Sequence, residues 1–181
     1  IVVNLPAHGA DNIDGRGIGL ADYVKTVGDA VKKATGKVIL VGHSMAGMII
    51  SQVAENMPNK IDKLIYVSAY LPKNGEDLTS ITNKFLNNKP LEILEFNKDY
   101  SLVSIKKEAI GNVVCGDCPD YMKELLVKYH RAEPVKGLND KVTLTSAYHA
   151  IPKYYISTRN DLAVPYALQQ QMITANGTVK K

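Results

Sequence analysis

The residues best suited to chemistry lie in one short run, Gly42-His43-Ser44-Met45-Ala46-Gly47. A serine hydroxyl is a weak nucleophile until a base takes its proton and donors hold the oxyanion that forms. A sharp strand-to-helix turn meets part of that need. It lifts the serine clear of the sheet edge and aims the first N–H groups of the following helix at the developing charge. Such a turn is crowded, so the residues two before and two after the serine must be small. Gly42 and Ala46 meet this requirement, with Ala46 one methyl larger than the usual glycine and Gly47 next to it. G-x-S-x-[GA] is weak on its own. Here it follows the apolar run Val38-Ile39-Leu40-Val41 and opens an apolar stretch from about Met45 to Asn56, the context the turn requires. Ser44 is the candidate nucleophile and the N–H of Met45 the candidate oxyanion donor. His43 is adjacent to Ser44, but neighbours in such a turn point different ways, so it reads as an orienting residue.

A nucleophile of this kind is followed along the chain by a carboxylate and then by a histidine. Tyr154-Tyr155-Ile156-Ser157 reads as a strand and Thr158-Arg159-Asn160-Asp161 as the turn at its end, which makes Asp161 the candidate acid. Asp161 also suits a turn or a helix cap ahead of Val164 and Pro165. The histidines His8, His43, His130 and His149 all precede it. His149 comes before the strand that Asp161 follows, and a five-residue strand spans ~17 Å, so His149 falls at the wrong end of the sheet. His130 on a later helix or His8 in a loop at the active edge would be unusual bases. The expected base is therefore a histidine beyond Lys181, after one further strand. The second oxyanion donor normally comes from a loop after an earlier strand, so both ends of the chain read as incomplete.

Strands and helices must hold these residues. Ile1 to Leu5 reads as a buried strand ended by Pro6. Leu20, Val24, Val27, Val31 and Ala34 recur at helical spacing, with Gly36 as the stop. Val38–Val41 has the continuous apolar pattern of a strand covered on both faces, and Leu64-Ile65-Tyr66-Val67 is another such run. Alternating strands and helices argue an α/β fold with a mostly parallel sheet. Residues 72–148 are more polar, with a helix expected after Pro119 carrying Met122, Leu125, Leu126 and Tyr129 on one face. The strand pattern then resumes, and Val164 to about Ala175 reads as a helix with Gly177 just past its end. The expected organisation is a core of residues 1–71 and 149–181 interrupted by an inserted cap, 72–148.

Composition is that of an ordinary globular chain: 181 residues, 45% hydrophobic, 22% charged, net charge +4. The lysines are scattered and come at most in pairs, which argues against nucleic acid as a partner. No run approaches the ~20 apolar residues of a membrane span. Cys115 and Cys118 form one C-x-x-C. A zinc site needs about four ligands, so no metal is expected, and the pair reads as packed or loosely redox-active thiols.

With these residues laid out, the chain resembles the small capped α/β-hydrolases that include plant methylesterases, hydroxynitrile lyases and bacterial esterase-like relatives. The resemblance covers nearly the whole chain. It is carried by Asn4-Leu5-Pro6-Ala7-His8-Gly9, Leu20-Ala-Asp-Tyr-Val, Lys37-Val-Ile-Leu-Val-Gly-His-Ser, Ala54-Glu-Asn-Met-Pro, Tyr66-Val-Ser-Ala-Tyr-Leu-Pro and Asp161-Leu-Ala-Val-Pro. It implies Ser44 as nucleophile, Asp161 as acid, and a histidine some thirty residues beyond Asp161. Asp117-Cys118-Pro119 resembles the start of a cap helix in this group. The lyase branch commonly has Glu before the nucleophile, so His43 is more like the esterase branch.

The leading expectation is hydrolysis of a small-molecule carboxylic ester through an acyl-enzyme on Ser44, with a mainly apolar cap pocket and no cofactor. Tyr100, Tyr121, Met122 and Tyr129 are cap residues that could line it or simply pack. A lyase using the same triad and a non-catalytic ligand-binding protein on the same fold are the alternatives. The sequence fixes neither oligomeric state nor compartment.

Overall fold

The computed structural model describes residues 1–177 and 179–180. Helix α1 (Leu20–Lys32) leads into strand β1 (Val38–His43), helix α2 (Ala46–Asn56), a 3-10 turn at Pro58–Lys60 and strand β2 (Ile61–Val67). Then follow α3 (Leu78–Phe85), β3 (Leu94–Phe96), β4 (Leu102–Ile105), α4 (Lys107–Cys115), α5 (Asp120–Tyr129), β5 (Glu133–Pro134) and α6 (Val135–Asn139). The described chain closes with α7 (Ser146–His149), β6 (Lys153–Ile156), α8 (Tyr166–Asn176) and β7 (Val179–Lys180).

The main sheet has the order β1-β2-β6-β7, and each pair is parallel. Parallel neighbours need long crossovers, and here helices supply them. Register sets His43 beside Val67 and Val67 beside Ile156, so the three strands end level with one another. A smaller antiparallel sheet, β3-β4-β5, is built from the polar middle of the chain.

One face of the main sheet is buried. Leu64, Tyr66 and Tyr155 join one core cluster with Val24, Val27 and Val31 of α1, Met48, Ile49 and Val53 of α2, and Leu168 and Met172 of α8. Polar groups on this face are satisfied: the Tyr66 hydroxyl bridges Ser51 Oγ at 2.8 Å and the Tyr148 hydroxyl at 3.0 Å. Lys153 is buried too, with its ammonium donating to the carbonyls of Tyr148 and Ile151 at 2.7 and 2.9 Å. Burial lowers its pKa to about 8.

Three sequence expectations are corrected. The Val38–Val41 run is covered on one face only, with Ile39 49% and Val41 61% exposed. Strand residues alternate between faces. The helices α1 and α2 take the face of Val38 and Leu40, and no described element covers the other. Residues 1–5 form no strand: no described segment lies alongside to complete a ladder, so their N–H and C=O groups gain nothing from an extended pairing. Val3 and Leu5 still pack on the core, while Ile1 and Val2 face outward. Helix α1 also ends at Lys32, before the expected stop at Gly36.

The middle segment is tied to the rest by polar contacts. His8 Nε2 meets Glu133 Oε2 at 2.8 Å, and Tyr23 donates to the other Glu133 oxygen at 3.1 Å. The Arg131 guanidinium donates to Asp11 O and Asn12 Oδ1, and Asp140 accepts from the Leu20 N–H at the start of α1. Among the described residues no helix is long and apolar enough to cross a membrane.

Candidate active site

Chain direction reverses between β1 and α2 within a residue or two, and Ser44 sits at the reversal with φ +53°. That left-handed conformation costs an L-residue roughly 1–2 kcal/mol. Three backbone bonds hold it: Ser44 N–H donates to Val67 O at 3.4 Å, and Ser44 O accepts from Gly47 N–H at 3.1 Å and Tyr70 N–H at 3.0 Å.

The small residues around Ser44 have specific neighbours. A Cβ on Gly42 would lie 2.9 Å from Ala46 O and from Ile50 Cδ1. A Cβ on Gly47 would lie 2.0 Å from Tyr70 O, well inside van der Waals contact. Ala46 starts α2, half-buried, and its methyl is accommodated. Gly47 therefore lets α2 approach the chain after β2, a role the sequence reading did not give it. Met45 takes helical angles, and its N–H donates to no acceptor among the described residues. An unpaired N–H at a helix start beside a serine hydroxyl is a ready donor to negative charge. His43 ends β1 with its side chain exposed.

Asp161 lies at the same sheet edge. Ser44 follows β1 and residues 157–161 follow β6, two strands away, which is roughly 10 Å at the usual strand spacing. Its carboxylate uses three of about four acceptor positions: Oδ1 accepts from the N–H groups of Ala163 at 2.9 Å and Val164 at 2.8 Å, and Oδ2 accepts from Thr158 Oγ1 at 2.8 Å. Asp161 is thus the turn residue before α8 that its type suggested, held in one orientation on the edge that carries Ser44. Burial raises the pKa of the Tyr70 and Tyr155 phenols, and the negative charge of Asp161 adds to both shifts.

A hydroxyl relay that sequence reasoning missed connects the strand ends. Ser68, just past β2 and also at positive φ (44°), hydrogen-bonds through Oγ to Thr158 Oγ1, which in turn reaches Asp161. Gln169 of α8 fixes the same turn, accepting from Thr158 N–H at 3.1 Å and donating to Thr158 O at 3.0 Å. A hydroxyl residue one position after β2 and another two positions after β6 was the available signal, but pairing them requires the register.

None of the four histidines hydrogen-bonds Ser44 or Asp161 among the described residues. His8 has both ring nitrogens committed, Nδ1 to Pro6 O at 2.8 Å and Nε2 to Glu133. The Pro6 carbonyl accepts from Nδ1, and an ionised Glu133 accepts from Nε2, so the contacts favour the doubly protonated ring. The Glu133 hydrogen bond accordingly raises the His8 pKa, with burial opposing. A ring held this way has no lone pair for a serine proton. His130 Nε2 is buried without a partner, and His149 ends α7, ahead of β6 and away from its C-terminal edge.

The sequence model of the alpha/beta hydrolase family matches residues 1–179. The chain belongs to that family. Putative methylesterase 11, chloroplastic, from Arabidopsis thaliana is 28% identical over 96% of this chain and 48% of its own length. A pyrethroid hydrolase from Sphingobium wenxiniae is 25% identical over 86% of this chain and 58% of its own. The chain spans about half the length of the curated relatives it matches. Among solved structures, a pyrethroid hydrolase from Sphingobium faniae superposes with a TM-score of 0.84 at 23% identity, covering 97% of this chain and 73% of that one. Polyneuridine aldehyde esterase gives 0.83 at 22% identity, covering 97% and 76%. These likenesses fix the hydrolase fold.

Away from the elbow, α4 and α5 pair as a hairpin and, with His130, line an apolar cavity of about 270 Å³. Ile110, Val114, Met122, Leu125, Leu126 and Tyr129 form its wall. The expected helix after Pro119 is therefore present, with its apolar face turned to this cavity. The expected free thiols are not: Cys115 and Cys118 are joined in a disulfide, their Cα atoms 5.3 Å apart, within the range a bridge spans. Asp117 lies close by, but both sulfurs are bonded to each other and offer no thiolate to a metal.

Proposed function

We propose that this protein hydrolyses a carboxylic ester through an acyl-enzyme on Ser44. The observation that carries the reading is the elbow: a serine held at positive φ between strand and helix, with the free N–H of Met45 beside it. Ser44 Oγ attacks the ester carbonyl and Met45 N–H donates to the resulting oxyanion. The alcohol leaves, and water releases the acid. Asp161 orients and stabilises the protonated base, itself held by Thr158 and the turn N–H groups.

The proton acceptor in this reading is a histidine beyond Lys181. Strand β7 runs parallel to β6 on the sheet's outer edge, so continuing it delivers the following residues to the edge where Asp161 sits. The methylesterase and pyrethroid-hydrolase names of the relatives are consistent with an ester substrate.

The test is intact mass of the whole protein before and after a fluorophosphonate probe. One adduct, lost in Ser44→Ala, is the expected result. No adduct on a chain that does carry the later histidine would sink the proposal and leave a ligand-binding hydrolase fold.

A further inference from the structure

The α4–α5 hairpin carries a feature that ester hydrolysis does not use. Its helices are joined by only Gly116, Asp117, Cys118 and Pro119, and the disulfide from Cys115 to Cys118 spans that joint. Cys115 is the last residue of α4, and Cys118 lies just before the residue that caps α5. The Cys118 N–H also donates to Cys115 O at 3.1 Å, so the turn is fixed by one covalent and one hydrogen bond.

The joint sits at the rim of the cavity. Val114, next to Cys115, and Met122, one helical turn after Cys118, both line it. Elsewhere the helices are held together by modest contacts. Gly111 lies so close to Lys123 that an added Cβ would meet Lys123 Cβ at 2.9 Å, and Lys123 donates to Asn112 Oδ1 at 3.4 Å. Val114, Leu125 and Tyr129 remain 48%, 41% and 69% exposed. The spacing of the two cavity walls therefore depends strongly on the bridge.

A bridge that closes so short a loop constrains the unfolded chain less than one closing a long loop, so its effect falls on local geometry. Both cysteines are half-buried, and Gly116, Asp117, Pro119 and Asp120 around them are exposed. A small thiol can reach the sulfurs, and exposed disulfides are the labile, regulatory ones.

We propose that Cys115–Cys118 is a reversible thiol–disulfide site that sets the width of the apolar cavity between α4 and α5. The oxidised form holds the walls together and the dithiol form lets them part. For reduction, a thiolate of a small-molecule thiol attacks one sulfur, the S–S bond breaks, and a mixed disulfide forms with one protein thiolate released. A second small thiol resolves the mixed disulfide. The products are two protein thiols and one oxidised small-molecule disulfide. Oxidation runs the same exchange in reverse. The proposal goes beyond the ester reading and does not require it; where that reading holds, redox state also tunes which esters fit.

The experiment uses the whole protein equilibrated in buffers of reduced and oxidised glutathione. Alkylation followed by intact mass counts the thiols in each buffer. Amide hydrogen exchange of the wild type reads α4 and α5. Met122→Trp adds a reporter of the cavity to a sequence that has no tryptophan. We expect two alkylatable thiols to appear on reduction. In step with them, exchange in residues 107–129 should speed at least fivefold and acrylamide quenching of the reporter should rise about twofold. Cys118→Ser should show the exchange rates of the reduced wild type in every buffer. Thiols that stay alkylatable in oxidised glutathione, identical exchange in the two states, or a Cys118→Ser variant that still responds to glutathione would each overturn the proposal. Ser44 labelling by fluorophosphonate is scored separately, so loss of the esterase reading cannot be mistaken for loss of the redox site.

Discussion

The elbow at Ser44 and the hairpin of α4 and α5 are built in opposite ways. At the elbow, Ser44 is tied by three backbone bonds, Gly42 and Gly47 abut carbonyls with no room for a methyl, and the next strand end is linked in through Ser68, Thr158 and Asp161. In the hairpin, two helices lean mainly on each other, leave apolar side chains in solvent, and share one covalent joint. The lesson is a division of tolerance. The elbow is over-determined, so the strain at Ser44 persists. The α4–α5 hairpin, by contrast, leaves Val114, Leu125 and Tyr129 partly in solvent and is held more loosely.

Paired glycine substitutions are the most direct way to break that contrast. Gly47→Ala drives a methyl against the Tyr70 carbonyl, with backbone on both sides. The expected cost is about 3 kcal/mol, the upper end for overpacking, measured by urea unfolding. Gly111→Ala meets side-chain atoms of Lys123 instead. There the gain in helix propensity offsets part of the crowding, and a net change within about 1 kcal/mol is expected. Equal costs at the two sites would dissolve the distinction.

Thr158→Val sharpens it at the active edge. The variant keeps the side chain's shape but cuts the link between Ser68 and Asp161. For the proposed ester hydrolysis, with Asp161 positioned less firmly, kcat should fall about tenfold, equivalent to ~1.4 kcal/mol, with KM little changed. An unchanged kcat would reduce the relay to scaffolding.

The smallest effect is expected where the middle segment meets the first loop, between Glu133 and His8. Because Glu133 raises the folded-state pKa of His8 above its unfolded value, this pair stabilises fully below about pH 6.5 and loses its contribution as pH climbs through the folded pKa. The stability gap between wild type and His8→Gln should be widest near about pH 5.5 and narrow toward alkaline pH. A gap that widens with pH would mean that His8 is neutral in the fold.

The elbow was legible because its determinants are contiguous: Gly42, Ser44 and Ala46 state the turn within five residues, between an apolar strand and an apolar helix. Asp161 could be placed on its edge by element order, although its bonds to Thr158, Ala163 and Val164 could not be foreseen. What failed to show depends on partners distant in the chain. Residues 1–5 have strand composition, but a strand exists only beside another, and none is described there. The run Val38–Val41 is apolar on both faces, yet composition does not say which face a helix takes. Ser68 and Thr158 look like ordinary loop residues until register sets β2 beside β6. The Cys115–Cys118 spacing permits free thiols or a bridge alike, and backbone geometry decides between them.

The parallel order of β1, β2 and β6 has a kinetic consequence. Ser44 and Asp161 are brought to one edge only when strands from distant parts of the chain have found their register, and closing such long loops is slow. Helices α1, α2 and α8 can form and begin to collapse well before that. The shared edge of Ser44 and Asp161 should therefore mature late in folding, with helical structure recovered before the two residues are brought together.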